Sequence, residues 1–121
     1  MRALAIFLAV MISACATELQ RVPTSFTVVS DSSRSLQMSA PVSVTASAGY
    51  TRTLPAGSKW SLIGSIPEGD IFKIENSVFT IEARHVHEAY LVVQNLNLVG
   101  FYLPVEQAFS PLSPKILLPI K

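Results

Sequence analysis

A duplication at twelve residues constrains this chain more than any other feature. Leu54-Pro55-Ala56-Gly57-Ser58-Lys59-Trp60 is matched by Ile66-Pro67-Glu68-Gly69-Asp70-Ile71-Phe72. Each copy reads aliphatic-Pro-x-Gly-x-x-aromatic. Proline at the second position of a turn pre-sets φ, and glycine at the fourth suits a type I turn. Each turn then launches a strand that carries a large aromatic to the same relative place. Two copies are too few for a solenoid. They fit consecutive hairpins of a meander, with Trp60 and Phe72 in the core. The alternative is an exposed aromatic binding platform.

The rest of the chain keeps a period of two. Pro41-Val42-Ser43-Val44-Thr45-Ala46-Ser47 places Val42, Val44 and Ala46 on one face. Val78-Phe79-Thr80-Ile81-Glu82-Ala83 does the same with Phe79, Ile81 and Ala83. Phe26-Thr27-Val28-Val29-Ser30 is a short strand ended by Asp31-Ser32-Ser33, and residues 50–54 form another. Residues 90–94 and 98–103 are apolar on both faces and flank Asn95-Leu96-Asn97, which predicts a hairpin in the middle of a barrel or sandwich. Gly100 marks a bend or a close backbone approach there. No stretch carries a helical stripe. The fold class expected is all-β: one small barrel or sandwich of roughly seven to nine short strands.

Residues 104–121 contain Pro104, Pro111, Pro114 and Pro119, which favours an extended, Pro-rich C-terminal tail. Residues 105–109 make at most a helical turn. The apolar run Ile116-Leu117-Leu118-Pro119-Ile120 needs cover, so the tail is expected to pack along the domain or a partner.

The N-terminus has the three parts of an export signal. Arg2 is followed by an uninterrupted apolar run over residues 3–12, then by the small residues Ser13 and Ala14. The run is too short to span a bilayer, which takes roughly 20 residues. Cys15 is the chain's sole cysteine, so neither an internal disulfide nor a multi-cysteine metal site is available. Ile12-Ser13-Ala14-Cys15 resembles the lipobox of bacterial lipoprotein precursors. That resemblance covers residues 1–16 and implies cleavage between Ala14 and Cys15, with diacylglyceryl and often palmitate attached at Cys15. Ala16 is not the aspartate that favours inner-membrane retention in Gram-negative members, which implies an outer-membrane anchor facing the periplasm. The division expected is a signal peptide over 1–14, a lipidated N-terminus and tether over 15–25, and a β domain over 26–121.

Without the signal, about 107 residues remain, enough for a modest core. Removing Arg2 leaves eight basic against eight acidic side chains, with no basic run. Such neutrality argues against nucleic acid as a partner. His85-Val86-His87-Glu88 holds the candidate metal ligands: on a strand, His85 and His87 point to the same side and can clasp zinc or copper. The competing reading is one exposed and one hydrogen-bonded imidazole, because the same face continues with Ala89, Leu91 and Val93. No serine sits in Gly-x-Ser-x-Gly, and the glycines lack phosphate-cradle spacing. Nothing calls for a catalytic residue or a cofactor. The function expected is that of an envelope lipoprotein serving as a binding or structural accessory. The partners are the bilayer, through acylated Cys15, and an envelope protein at the tail or a sheet edge. A periplasmic metal or small-ligand binder using His85 and His87, and a small envelope hydrolase, are the alternatives.

Overall fold

Twelve short strands account for the regular structure of residues 17–29 and 33–121, the part of the chain that the computed structural model describes. The signal, the Ala14/Cys15 cleavage point, Cys15 itself and the Asp31-Ser32 part of the expected turn lie outside these residues. The strands are β1 (Val22–Pro23), β2 (Thr27–Val28), β3 (Ser35–Gln37), β4 (Val42–Thr45), β5 (Thr51–Leu54) and β6 (Lys59–Ile66). They continue with β7 (Gly69–Ile74), β8 (Thr80–Glu82), β9 (Val86–Glu88), β10 (Tyr90–Gln94), β11 (Asn97–Leu103) and β12 (Ala108–Leu117). The fold is all-β, as the alternation predicts.

The main sheet is antiparallel and curled, in the order β1-β12-β11-β10-β7-β6-β2, with β3 also on β6. β10 and β11 are central, which is why both their faces are apolar. Their hairpin turns through Asn95 and Leu96, both at positive φ (51° and 63°), the arrangement whose twist suits two-residue hairpins. The N-terminal stretch runs along the gap between β6 and β12 and bonds to both. β1 pairs with Ala108 and Phe109, β2 with Gly64 and Ser65, and β3 with residues 59–61. Met38 then bridges Ile120, flanked by the bonds Ser39 N to Pro119 O (2.7 Å) and Lys121 N to Gln37 O (2.8 Å). These pairings draw the curled sheet toward a barrel.

The two Pro-Gly turns do different jobs. The second is the expected hairpin: Pro67 and Glu68 form a two-residue loop between the paired Ile66 and Gly69. The first is not. β5 pairs with β4 in a separate two-stranded sheet, so Leu54 to Lys59 is a crossing between sheets. Its turn closes one residue later than predicted, with Ser58 N donating to Pro55 O. Gly57 thereby takes the third position at φ 79°, a type II arrangement that glycine accepts without a Cβ penalty. Trp60 and Phe72 nevertheless reach the same core, fully buried, so they form no exposed platform.

Two apolar clusters lie on opposite faces of the main sheet. The larger takes Leu91 and Val93 from β10 and is covered by the hairpins β4–β5 and β8–β9 through Val42, Val44, Leu54, Phe79 and Ile81. Trp60 meets Phe79 edge-on at 5.5 Å between centroids. The smaller takes Val92, with Ile66, Ile71, Tyr102 and Phe109, and Phe26 packs against it. Bulges decide which residues go where. An extra residue at Ile63 in β6 and at Val99 in β11 shifts the register. Leu98 and Phe101, three apart, therefore share the larger cluster, which a flat strand forbids.

The expected C-terminal tail is a strand of this sheet. β12 pairs with β11 over residues 108–111 and again at 116–117. Between these ladders the register jumps, and Leu112 turns into the larger cluster. Because β1 covers only Ala108 and Phe109, Pro111 and Pro114 sit where β12 has an unpaired edge, the position at which a sheet tolerates proline.

Candidate functional site

The one short, largely buried pair of ionisable side chains among the described residues joins β9 to the loop between β11 and β12. β9 alternates: Val86 faces solvent, His87 is 4% exposed and Glu88 is half-buried. Register places His87 opposite Ile81 of β8, and Ile81 and Ala89 belong to the larger core, so the imidazole is carried inward with them. Glu106 comes from residues 104–107, the loop between the paired Leu103 and Ala108, with Gln107 at φ 53° closing it. His87 Nδ1 and Glu106 Oε1 are 2.7 Å apart.

The contact fixes the ring's orientation, and with the carboxylate as acceptor it is Nδ1 that donates. The other ends of the pair, His87 Nε2 and Glu106 Oε2, are buried without a hydrogen-bond partner among the described residues, as is Ser110 Oγ. Ser110 therefore does not complete a Ser-His-Glu relay, and no nucleophile is bonded to Nε2. What the arrangement does, as built, is latch the β8–β9 hairpin onto the β11–β12 loop. A buried acceptor or donor left unpaired costs about 1–3 kcal/mol, which an ordered water could recover.

His85 does not join this site. It lies in the bend before β9 and is exposed, whereas His87 is buried. Among the described residues no group of three or more His, Cys, Asp or Glu side chains is placed to hold a metal ion. The face shared by His87, Ala89, Leu91 and Val93 is core, not a pocket wall. Glu106 was not legible as a partner, since nineteen residues separate it from His87 and no local pattern links them.

Two further features lie outside this pair. Tyr90 and Tyr102 are directly opposite in β10 and β11, with ring centroids 6.3 Å apart, and Lys73 Nζ sits 5.6 Å from the Tyr90 ring centre. Burial raises both phenol pKa values above the ordinary range. For Tyr90 the neighbouring Glu88 carboxylate adds to this, by charge and by hydrogen bond. A cleft of about 380 Å³ is lined by Gln20, Thr45, Ala46, Ser47, Pro111 and Ser113, none of them ionisable. No family model, curated protein or solved structure matches the chain.

Residues 17–25, read from sequence as a tether, are bound into the domain. Leu19 is in the larger core, Arg84 N donates to Thr17 O (3.1 Å), and Gln20 N donates to Ser47 Oγ (2.8 Å). Among the described residues no helix is long and apolar enough to cross a membrane.

Proposed function

We propose that this chain is an envelope lipoprotein, anchored by lipid on Cys15 in the outer membrane. Its small periplasm-facing β domain then serves as a binding or structural accessory. The observation that carries this reading is the run of residues 3–12 followed by Ser13-Ala14-Cys15, with the chain's sole thiol at the acceptor position. One acyl chain holds a protein only marginally, but each buried methylene adds about 0.8 kcal/mol, so two or three chains hold it firmly. The mechanism is recruitment: confinement to a surface raises the effective concentration of the domain for a partner in the same envelope. At the His87–Glu106 pair the buried imidazole is bonded through Nδ1 to a half-buried carboxylate, which supports a structural latch there.

Replacement of Cys15 by serine tests the anchor. Palmitate labelling should vanish, and the protein should leave the membrane fraction for the soluble one. Unchanged labelling in Cys15→Ser would overturn the reading. Crosslinking in intact cells then identifies what the domain touches.

A further inference from the structure

Resting on the lipid-anchor reading, we infer that the domain lies against its bilayer with one defined surface: the bend between β8 and β9, residues 83–86, beside the β4–β5 turn that carries Ser47 and Tyr50. The occupant of that surface is the phospholipid headgroup layer.

Covalent reach carries the argument. Only Ala16 separates Cys15 from Thr17. Consecutive Cα atoms are about 3.8 Å apart, so the Cα of Cys15 lies within about 7.6 Å of that of Thr17 whatever the path. Thr17 is itself fixed, since its carbonyl accepts from Arg84 N in the β8–β9 bend. Three residues on, Gln20 N is held by Ser47 Oγ of the β4–β5 turn, and Leu19 between them is core. The segment cannot swing out as a linker without breaking these contacts. A headgroup layer is roughly 5–8 Å deep on each side of the hydrocarbon. The β8–β9 bend must therefore sit in it or directly above it.

The side chains suit that place. Arg84 and His85 are exposed, and the Arg84 guanidinium has no ion-pair partner among the described residues, so it is available to a lipid phosphate. Val86 is 67% exposed and Tyr50 42%, an aliphatic and an amphipathic ring of the kind that favours a membrane–water interface. Glu82 is exposed nearby, and Glu18 is taken by Arg21 at 3.5 Å. The patch is thus no polybasic magnet: the lipid supplies the affinity and the patch sets the orientation. Val28, 74% exposed on β2, provides the contrast. It lies eleven residues beyond Thr17 and is paired with Gly64 of β6, not with the β4–β5 or β8–β9 hairpin.

The test uses the full, processed protein purified from membranes and reconstituted in phosphatidylethanolamine–phosphatidylglycerol vesicles. Val86→Cys, Tyr50→Cys and Val28→Cys each carry an environment-sensitive fluorophore, Cys15 being blocked as a thioether. Lipid spin-labelled at the headgroup should quench the probes at positions 86 and 50 several-fold more than the probe at 28. Equal quenching, or stronger quenching at 28, in vesicles that float with palmitate-labelled protein would overturn the orientation and leave the anchor standing. Wild-type protein that neither floats nor labels would remove the anchor, and the orientation with it.

Discussion

The ring of Phe26 occupies the space into which a Cβ on Gly64 would project. The Thr27 carbonyl closes the same space from the backbone side, and Phe26 also stacks on Tyr102 at 5.3 Å and 19°. Gly100 repeats the arrangement, with the Phe109 ring and the Ser110 carbonyl in the place of its Cβ. The two glycines belong to one row across four strands, because Gly64 faces Ile71, Ile71 faces Val92, and Val92 faces Gly100. A phenylalanine thus caps each end of that row, and the cap on Gly64 seats Phe26 over the smaller cluster.

Gly64→Ala should therefore loosen the N-terminal stretch. The added methyl meets a carbonyl that only moves if β2 moves, so overpacking should cost about 1–3 kcal/mol. The urea midpoint should fall while the m-value stays constant. Combining it with Phe26→Leu should give less than the sum of the two losses, since the ring is one of the two obstructions. Strict additivity would show that the ring and the glycine are not coupled.

The His87–Glu106 latch makes a second prediction. Glu106→Gln keeps the shape and can still accept from Nδ1, whereas Glu106→Ala leaves His87 with two unpaired buried nitrogens. The alanine variant should lose about 1–3 kcal/mol and the glutamine variant less. Amide hydrogen exchange at His87 and Ala89 should quicken in Glu106→Ala, because the β8–β9 hairpin is a separate two-stranded sheet. Unchanged exchange there would mean that the pair holds nothing down.

Much of this fold is legible in the sequence, because side-chain alternation is local. Val42, Val44 and Ala46 are buried together, Phe79 and Ile81 are core, and the doubly apolar β10 and β11 lie at the centre of the sheet. The Pro-Gly repeat predicts Trp60 and Phe72 as core for the same reason. What it does not contain is the pairing partner: the first turn leads out of a strand already paired with β4. The bulges at Ile63 and Val99 leave no mark on periodicity until the opposing strand is known. Prolines in residues 104–121 read as an extended tail, and only the short reach of β1 explains why a strand tolerates them. At the candidate site, His87 was visible and Glu106 was not, since their meeting depends on a loop closing nineteen residues away.

Tyr90 and Tyr102 make the domain sensitive to alkali. Burial raises both phenols, with Glu88 adding to the rise at Tyr90, so the folded state holds these protons more tightly than the unfolded chain, whose phenols titrate near 10. A phenol raised in this way contributes stability that is fully present below the unfolded value and is lost as pH climbs through the folded one. Absorbance at 295 nm should show two phenols ionising above pH 10, one of them lost in Tyr90→Phe and the other in Tyr102→Phe. The decline in stability above pH 10 should flatten in the double variant. Titration of both at the free-tyrosine value would contradict the burial argument.

The C-terminal residues make the sharpest test of the architecture. If residues 104–121 were an accessory arm, truncation after Pro114 would leave a folded domain. The structure gives the opposite expectation. Leu118 is buried in the larger cluster, Leu118 N donates to Leu96 O, and Ile120 bridges Met38 across the gap between the sheet's two ends. Cutting at 114 removes that core side chain, the second ladder with β11 and every bond between residues 37–39 and 119–121. Stabilities of small domains are only about 5–15 kcal/mol, so the truncated protein should lose its cooperative thermal transition. The milder Leu118→Ala should remain folded with a loss of about 2–5 kcal/mol. A truncated protein that melts cooperatively at the wild-type temperature would place the tail outside the fold and return it to the surface as a docking arm.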